Sequence, residues 1–308
     1  MKIIMYHYVR DFKNTEYKRI KGLDIKKFKL QIKYLLSKYN ILDPDEIHEI
    51  IENKKFFKIK DCWLTFDDGY IDHYKYVFPI LEQYKIKASF FPPVESTIQQ
   101  RILDVNKIHF ILASCENKKN ILDKIKNNYL NYDKNNNVER FENILKKTNL
   151  KNRYDDHETM LIKQLLQTIL PYNTRTKICD DLFKQYVSED MYSFAKKLYM
   201  NISQVKEMHN CGHEIGLHGY NHLWLGKLTK KDQANEILKA LDFWKTNNII
   251  KDKFTMCYPY GDYNQDTLEI LSNNNCCIGL TTKVGSVPIK DYIPYELPRY
   301  DTNDFIQI

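Results

Sequence analysis

The chain has 308 residues, enough for one large domain or two ordinary ones, and its 43% hydrophobic and 13% aromatic content is that of a folded protein, not a disordered one. A net charge of +7, from 47 basic and 40 acidic residues spread without an Arg-rich tract or nucleic-acid motif, argues against nucleic-acid binding. No apolar run reaches the ~18 residues of a membrane span, the first apolar run is too short for a signal peptide, and the seven cysteines form no CxxC pair. The expectation is a reduced, cytoplasmic protein without a disulfide framework.

The first element is a strand, "IIMYHYV", followed by a helix over "LDIKKFKLQIKYLLSKY" with Asp24 as N-cap and Leu23, Phe28, Ile32, Leu35 and Leu36 as its apolar stripe. "CWLTF" is a strong strand. "YKYVFPILEQY" reads as a helix that Pro79 must start or kink, and "KASFFPPV" as a strand that its prolines end. Strand–helix alternation predicts parallel strands in an α/β architecture.

Between Asp104 and Asn201 the pattern turns helical and rich in Lys, Asn and Asp. "HETMLIKQLLQTIL" sets Met160, Leu161, Leu165, Ile169 and Leu170 on one side. "KICDDLFKQYV" does the same with Ile178, Leu182, Phe183 and Tyr186, and "NNYLNYDKNNNVER" reads as an exposed loop. The segment 104–201 is taken as a helical insertion in a single domain, 1–308.

The α/β pattern then resumes. "SQVKEMHNCG" is a short helix with Ser203 as N-cap and Gly212 at its end, and "HEIGLH" is a strand. A helix capped by Thr229 carries Ile237, Leu238, Leu241 and Trp244. "FTMCYPYG", "CCIGLTT" and "YELPRYD" supply further strands, with a helix over "NQDTLEILSNN". Six to eight strand–helix units fit a distorted or incomplete (β/α) barrel.

Two charged clusters end strands of this pattern. In "CWLTFDDGY" an apolar strand stops on Asp67 and Asp68, whose adjacent like charges resist burial unless a cation is near. In "HEIGLHGYNH", Glu214, Gly216 and His218 share one strand face, and His218 and His222 are four apart across a glycine. Two imidazoles at that spacing can converge on one cation, and one carboxylate added to them makes a metal site with open positions. A solvated turn and a chance HxxxH are the plainer readings of each motif alone. In a barrel, however, C-terminal strand ends gather on one face.

"LTFDDGY", "EIGLHGYNH" and "CYPYGDYN", in that order, resemble the signature motifs of the polysaccharide deacetylases, the carbohydrate esterase family with the NodB homology domain. The resemblance covers residues 1–100 and 203–308. It implies removal of an acetyl group from an N-acetylated sugar, with a divalent metal, zinc, as cofactor and an acetylated carbohydrate as substrate. By the same resemblance Asp68, His218 and His222 are metal ligands and Asp67 the general base. Tyr260 in "YPYG" supplies a backbone N–H to the oxyanion, although a Pro-x-Gly stretch is often only a tight turn.

The family's usual late "LHD" histidine has no counterpart here. The opening "IIMYHYV" instead resembles a permuted subgroup whose acid histidine lies on the first strand, which makes His7 the candidate acid. Arg299 in "LPRYD" is a candidate partner for Asp67, with a salt bridge to some other acidic residue as the equal alternative. Asp72 and His73 are expected to rotate away from the strand-end face, His213 to have the wrong parity, His157 and His209 to be solvated, and the cysteines to pack in the core. Two alternatives stay open: a catalytically silent carbohydrate-binding relative, and an O-acetyl esterase on the same scaffold. A role for the insertion at the site or at a membrane surface is likewise open.

Overall fold

A computed structural model describes residues 1–132, 138–146 and 155–305. It divides the chain into two compact units. The first comprises Met1–Asp11, Gly22–Arg101 and Ala195–Ile308, the second Phe12–Lys21 and Ile102–Phe194.

Among the described residues the first unit holds ten strands: β1 (Lys2–Tyr6), β2 (Val9–Arg10), β3 (Leu23–Asp24), β4 (Asn40–Ile41), β5 (Asp61–Asp67), β6 (Ser89–Phe91), β7 (Glu214–Ile215), β8 (Phe254–Cys257), β9 (Cys276–Leu280) and β10 (Tyr300–Asp301). Every paired ladder is parallel, and the main sheet runs β10-β1-β5-β6-β7 with β4 on β5. β8 and β9 form a second pair, and β2 and β3 a third. No closed barrel of ladders forms among the described strands. Single bridges, Leu217 to Met256 and Leu280 to Leu297, carry the parallel order across the gaps.

β7 is shorter than "HEIGLH" suggests because the backbone changes partner there. Gly216 N–H donates to Phe90 O at 2.9 Å, and Leu217 N–H turns to Thr255 O at 2.9 Å. A Cβ on Gly216 would stand 2.4 Å from the Phe91 ring and 2.7 Å from that Thr255 carbonyl, so only glycine fits the switch. β10 is short as well, since the Arg299 N–H before it donates to Lys283 O at 2.9 Å and the helix Thr302–Phe305 follows directly.

Register stacks aromatic side chains across three strands. Tyr6 pairs with Phe66 and Phe66 with Phe90, and each pair of rings lies 4.8 Å apart and nearly parallel. Each stack stabilises by about 0.5–1.5 kcal/mol beyond burial. These rings belong to the core that also holds Phe28, Ile32 and Trp244 from the helices. Side-chain alternation puts Trp63, Thr65 and Asp67 on the other face of β5, and a second core gathers Trp63, Phe91, Cys257, Ile278 and Leu297.

The helix Ile25–Lys38 has Asp24 as its N-cap, accepting from Lys26 N–H at 2.8 Å. Its buried stripe is Phe28, Ile32 and Leu35, while Leu36 faces solvent, one position beyond the width of the stripe. Leu238 is exposed for the same reason on the helix Lys230–Thr246, which Thr229 caps. A π-helical turn His73–Val77 leads into the helix Phe78–Gln83, which has Pro79 in its first turn. The cap of helix Ile202–Asn210 is Asn201, not Ser203, because Asn201 and Gln204 close a reciprocal capping box.

The second unit is helical, with Asp104–Ser114, Lys118–Tyr132, Val138–Lys146, His157–Gln164 and Tyr172–Tyr186 as its main elements. Buried Lys107 is held by Asp104 at 2.9 Å and Asp180 at 2.5 Å. The stretch expected as a loop is helical up to Tyr132 and again from Val138, and its centre, 133–137, lies outside the described residues. The buried face after His157 runs through Ile162, Leu165 and Leu166 at i, i+3, i+4 spacing and on to Leu170 after a π-helical turn at Leu165–Ile169, so Met160 and Leu161, off that stripe, are only half-buried. Residues 12–21 join this unit through Tyr17, whose ring packs edge-on against Phe110 and Phe194. No helix among the described residues is long and apolar enough to cross a membrane.

Candidate active site

Asp67 ends β5 on its inward face, and the chain then turns sharply through two left-handed residues, Asp68 (φ 73°) and Gly69 (φ 69°). A Cβ on Gly69 would lie 2.6 Å from Cβ of Pro92, so glycine is needed for space as well as for conformation. The turn directs the neighbouring carboxylates to different partners. Asp67 receives Arg299 Nη1–H at 2.9 Å and Nη2–H at 2.8 Å, a bidentate pair buried on both sides. Burial pushes the Asp67 carboxyl up, and the guanidinium outweighs it, holding the carboxyl at about 2. Arg299 is itself fixed by donating to Thr281 O, Thr65 Oγ1 and Cys257 Sγ.

Asp68 faces two imidazoles. Its Oδ1 lies 3.4 Å from His218 Nε2 and 3.3 Å from His222 Nε2, and its Oδ2 accepts from the Tyr70 hydroxyl at 2.5 Å. Burial opposes its charge, and the two imidazoles more than offset this, keeping it well below the ordinary carboxylate range. His218 Nδ1 is 2.7 Å from the carbonyl of Cys257 and donates to it, which fixes the ring with Nε2 toward Asp68. His222 follows through a turn with Gly219 at φ 73° and His222 itself at φ 59°. Glu236 ties that turn by accepting from the Asn221 backbone and side chain at 2.5 and 2.8 Å. His222 Nδ1 is buried with no partner among the described residues, and burial lowers the ring's pKa, favouring the neutral form that ligates metals.

Ligand atoms of Asp68, His218 and His222 lie within 4.8 Å of one another. At 3.3 and 3.4 Å the carboxylate–imidazole contacts are longer than charge-assisted hydrogen bonds, which run about 2.7–2.9 Å. Donors gathered at such spacing around one point, with one oxygen and two nitrogens, suit a divalent first-row ion.

The other expected residues border this centre. His7 Nε2 lies 3.9 Å from Asp67 Oδ2, with the imidazole partly exposed. Tyr260 sits at φ 60° in the turn Pro259–Gly261, its ring 4.6 Å from His222 and stacked on Trp224 at 4.1 Å. Asp68, His222 and Tyr260 are thus all non-glycine residues in the left-handed region, each at a cost of about 1–3 kcal/mol that the surroundings must hold in place.

Some residues set aside on sequence grounds stand beside the site. His73 does not rotate away: it is buried, and its Nε2 lies 2.7 Å from the backbone carbonyl of His7. The π-helical turn that begins at His73, four residues after Gly69, brings it under the His7 backbone. Burial lowers its pKa to about 4. Asp72 pairs with Arg10 at 2.7 Å. Cys257 is a wall of the site and not simply core, since it accepts from Arg299 and orients His218. Cys277 is not buried core either; it stands with His48 and Glu52 in a separate group of metal-capable side chains. His209 is half-buried, while His157 is exposed. His213 is buried against Ala88 N–H and Glu82 and does not join the site.

A family model described as polysaccharide deacetylase matches residues 54–128 and 169–276, more than half of the chain. YxkH of Bacillus subtilis (strain 168), named for the same family, is 31% identical over 108 residues, which span 35% of this chain and 38% of that protein. The structure of the Streptococcus pyogenes deacetylase PplD in complex with acetate is similar with a TM-score of 0.59 at 19% identity, covering 98% of this chain and 91% of that one. A de-N-acetylase of Aggregatibacter actinomycetemcomitans gives 0.57 at 16% identity, covering 100% and 96%. At such identities the structural likeness is one of fold.

Proposed function

The chain belongs to the polysaccharide deacetylase family, and from that premise we propose that it is a hydrolase removing the acetyl group from an N-acetylated sugar in a polysaccharide, oligosaccharide or glycan precursor. The observation that carries this reading is the division of labour at the end of β5. Asp68 faces His218 and His222, while Asp67 beside it is turned to Arg299. The acetate in the PplD structure and the de-N-acetylase name of the Aggregatibacter protein point the same way.

In this reading Asp68, His218 and His222 would hold one divalent ion, with zinc suited to the donor set. When bound, that ion supplies Lewis acidity to the acetyl carbonyl and to an attacking water. Asp67 accepts the water's proton as its oxygen adds to the acetyl carbon. The backbone N–H of Tyr260 donates to the oxygen that gains charge. His7 gives a proton to the sugar nitrogen as the C–N bond breaks, leaving a free amine and releasing acetate. Arg299 touches no substrate atom; it keeps Asp67 ionised and fixes its orientation.

The test is metal content together with acetate release from N-acetylglucosamine oligomers, comparing the wild type with Asp68→Ala and His218→Ala. About one equivalent of ion, lost in both variants along with acetate release, is the expected result. Bound metal with release only from O-acetyl substrates would replace the N-deacetylase by an esterase. Absence of metal after reconstitution would overturn the ligand assignment.

A further inference from the structure

At the end of the first unit away from Asp67, two loops meet. One, 53–60, leads into the start of β5. The other, 284–293, lies beside it: Phe57 N–H donates to Ile289 O at 3.2 Å and the Tyr292 hydroxyl to Lys55 O at 3.1 Å. Phe57 and Tyr292 turn inward and pack their rings 5.0 Å apart. Their neighbours turn outward: Phe56 is 68% exposed, Ile59 74%, Ile289 42% and Ile293 60%.

Single exposed apolar residues need no explanation, but four large ones on two hydrogen-bonded loops form a patch. Lysines surround it. Lys54, Lys55, Lys58, Lys60 and Lys290 are all exposed, and of these only Lys55 is engaged in a salt bridge among the described residues, with Glu49. Asp291 is the one acidic side chain exposed within the two loops.

We propose that this face docks the protein on an anionic lipid bilayer, with Phe56, Ile59, Ile289 and Ile293 entering the headgroup boundary and Lys54, Lys58, Lys60 and Lys290 meeting the phosphates. The combination of apolar anchors and a cationic rim is what an interfacial surface uses. A second copy of the chain fits worse, because a two-fold contact would set the lysine rim against itself. An acidic glycan would be met by the lysines but has no use for three isoleucines, which offer no aromatic face to a sugar. β5 spans seven residues, so the patch lies roughly 20 Å from Asp67 at about 3.3 Å per residue. The candidate site therefore opens at the other end of the strands.

The experiment is co-sedimentation of the full chain with vesicles of phosphatidylcholine alone or with phosphatidylglycerol at three parts in ten. Two variants accompany it, one with Phe56, Ile59, Ile289 and Ile293 changed to Ser, and one with Lys54, Lys58, Lys60 and Lys290 changed to Glu. The wild type is expected to bind the anionic vesicles and to be released by salt. Each variant should bind at least roughly 100-fold more weakly, with its thermal unfolding and its acetate release from soluble substrate kept. No binding of the wild type at low salt, or equal binding to neutral vesicles, overturns the proposal. So does binding that survives in both variants. A wild-type dimer in sedimentation equilibrium that the Ser variant dissociates would assign the face to a second copy instead.

Discussion

Arg299 grips Asp67 through both terminal nitrogens, at 2.9 and 2.8 Å, across 232 residues of sequence. A base must be ionised to accept a proton, and this carboxyl, at about 2 in the folded protein, is ionised at any working pH. Without the guanidinium, burial, which raises the pKa above the ordinary 3.8, is opposed only by the weaker pull of His7 and His218. Arg299→Ala should therefore move the acidic limb of kcat/KM upward by roughly two pH units or more. The stability that the ionised Asp67 contributes is present above pH 3.8 and lost as pH falls through about 2. Leaving the carboxylate buried and unpaired should cost about 3–5 kcal/mol at neutral pH. A variant that melts like the wild type and keeps its acidic limb would refute the positioning role.

For His7, the prediction separates chemistry from metal binding. His7→Gln should keep full metal content while kcat on an N-acetylated sugar falls by about 10²–10⁴. An aryl acetate, whose leaving phenolate needs no proton, should be cleaved nearly as fast as by the wild type. Equal losses on both substrates would remove His7 from the acid role.

Tyr260 should tolerate a change that looks drastic. Its proposed contribution is a backbone N–H, and its φ of 60° is one that glycine adopts freely. Tyr260→Gly loses the stack on Trp224, worth about 0.5–1.5 kcal/mol, and gains about 1 kcal/mol of backbone relief. Net stability should change by no more than about 1 kcal/mol, and kcat by less than about tenfold. A loss above 100-fold with the fold intact would assign the role to the side chain.

A fourth prediction concerns His48, whose Nε2 lies 2.8 Å from Glu214, a carboxylate that also accepts from Ser89 and Thr255. Burial alone would lower the imidazole's pKa. Glu214 outweighs burial and raises it to about 10. The stabilisation is then complete below the unfolded value of 6.5 and is lost as pH rises through about 10. His48→Gln should be less stable than the wild type by several kcal/mol, on the order of 3–5, at pH 6, and the gap should narrow by pH 10. A gap independent of pH would mean that the ring contributes by packing alone.

The candidate site was legible from sequence where its parts are local. "FDDG" and "HGYNH" carry their ligands, their glycines and their strand ends within a few residues of each other. Parity along β5 and β7 therefore predicts which side chains face inward. What escaped notice depends on register between distant strands. Tyr70 lies inside the quoted motif, yet its bond to Asp68 follows from two successive left-handed residues. Cys257 serves through a carbonyl and a thiol that no residue pattern marks, and ordinary helical rotation misplaces His73, where a π-helical turn begins. Arg299 was legible only as one of two equal options, because a salt bridge has no spacing of its own. Fold class was plain from alternation, whereas the breaks between ladders came from a backbone switching partners at Gly216.

The long reach from Asp67 to Arg299 also sets an order of events during synthesis. At roughly 5–20 residues per second, the ribosome delivers the arginine on the order of 10–50 s after the aspartate. During that interval the carboxylate has no cation to offset its desolvation, so the end of β5 must stay wet while its aromatic flank is already able to stack on β1 and β6. The corner that holds Asp67 and Arg299 is therefore among the last places to close in a nascent chain. A product truncated before residue 299 would hold both histidines and both aspartates and still lack the guanidinium that grips Asp67.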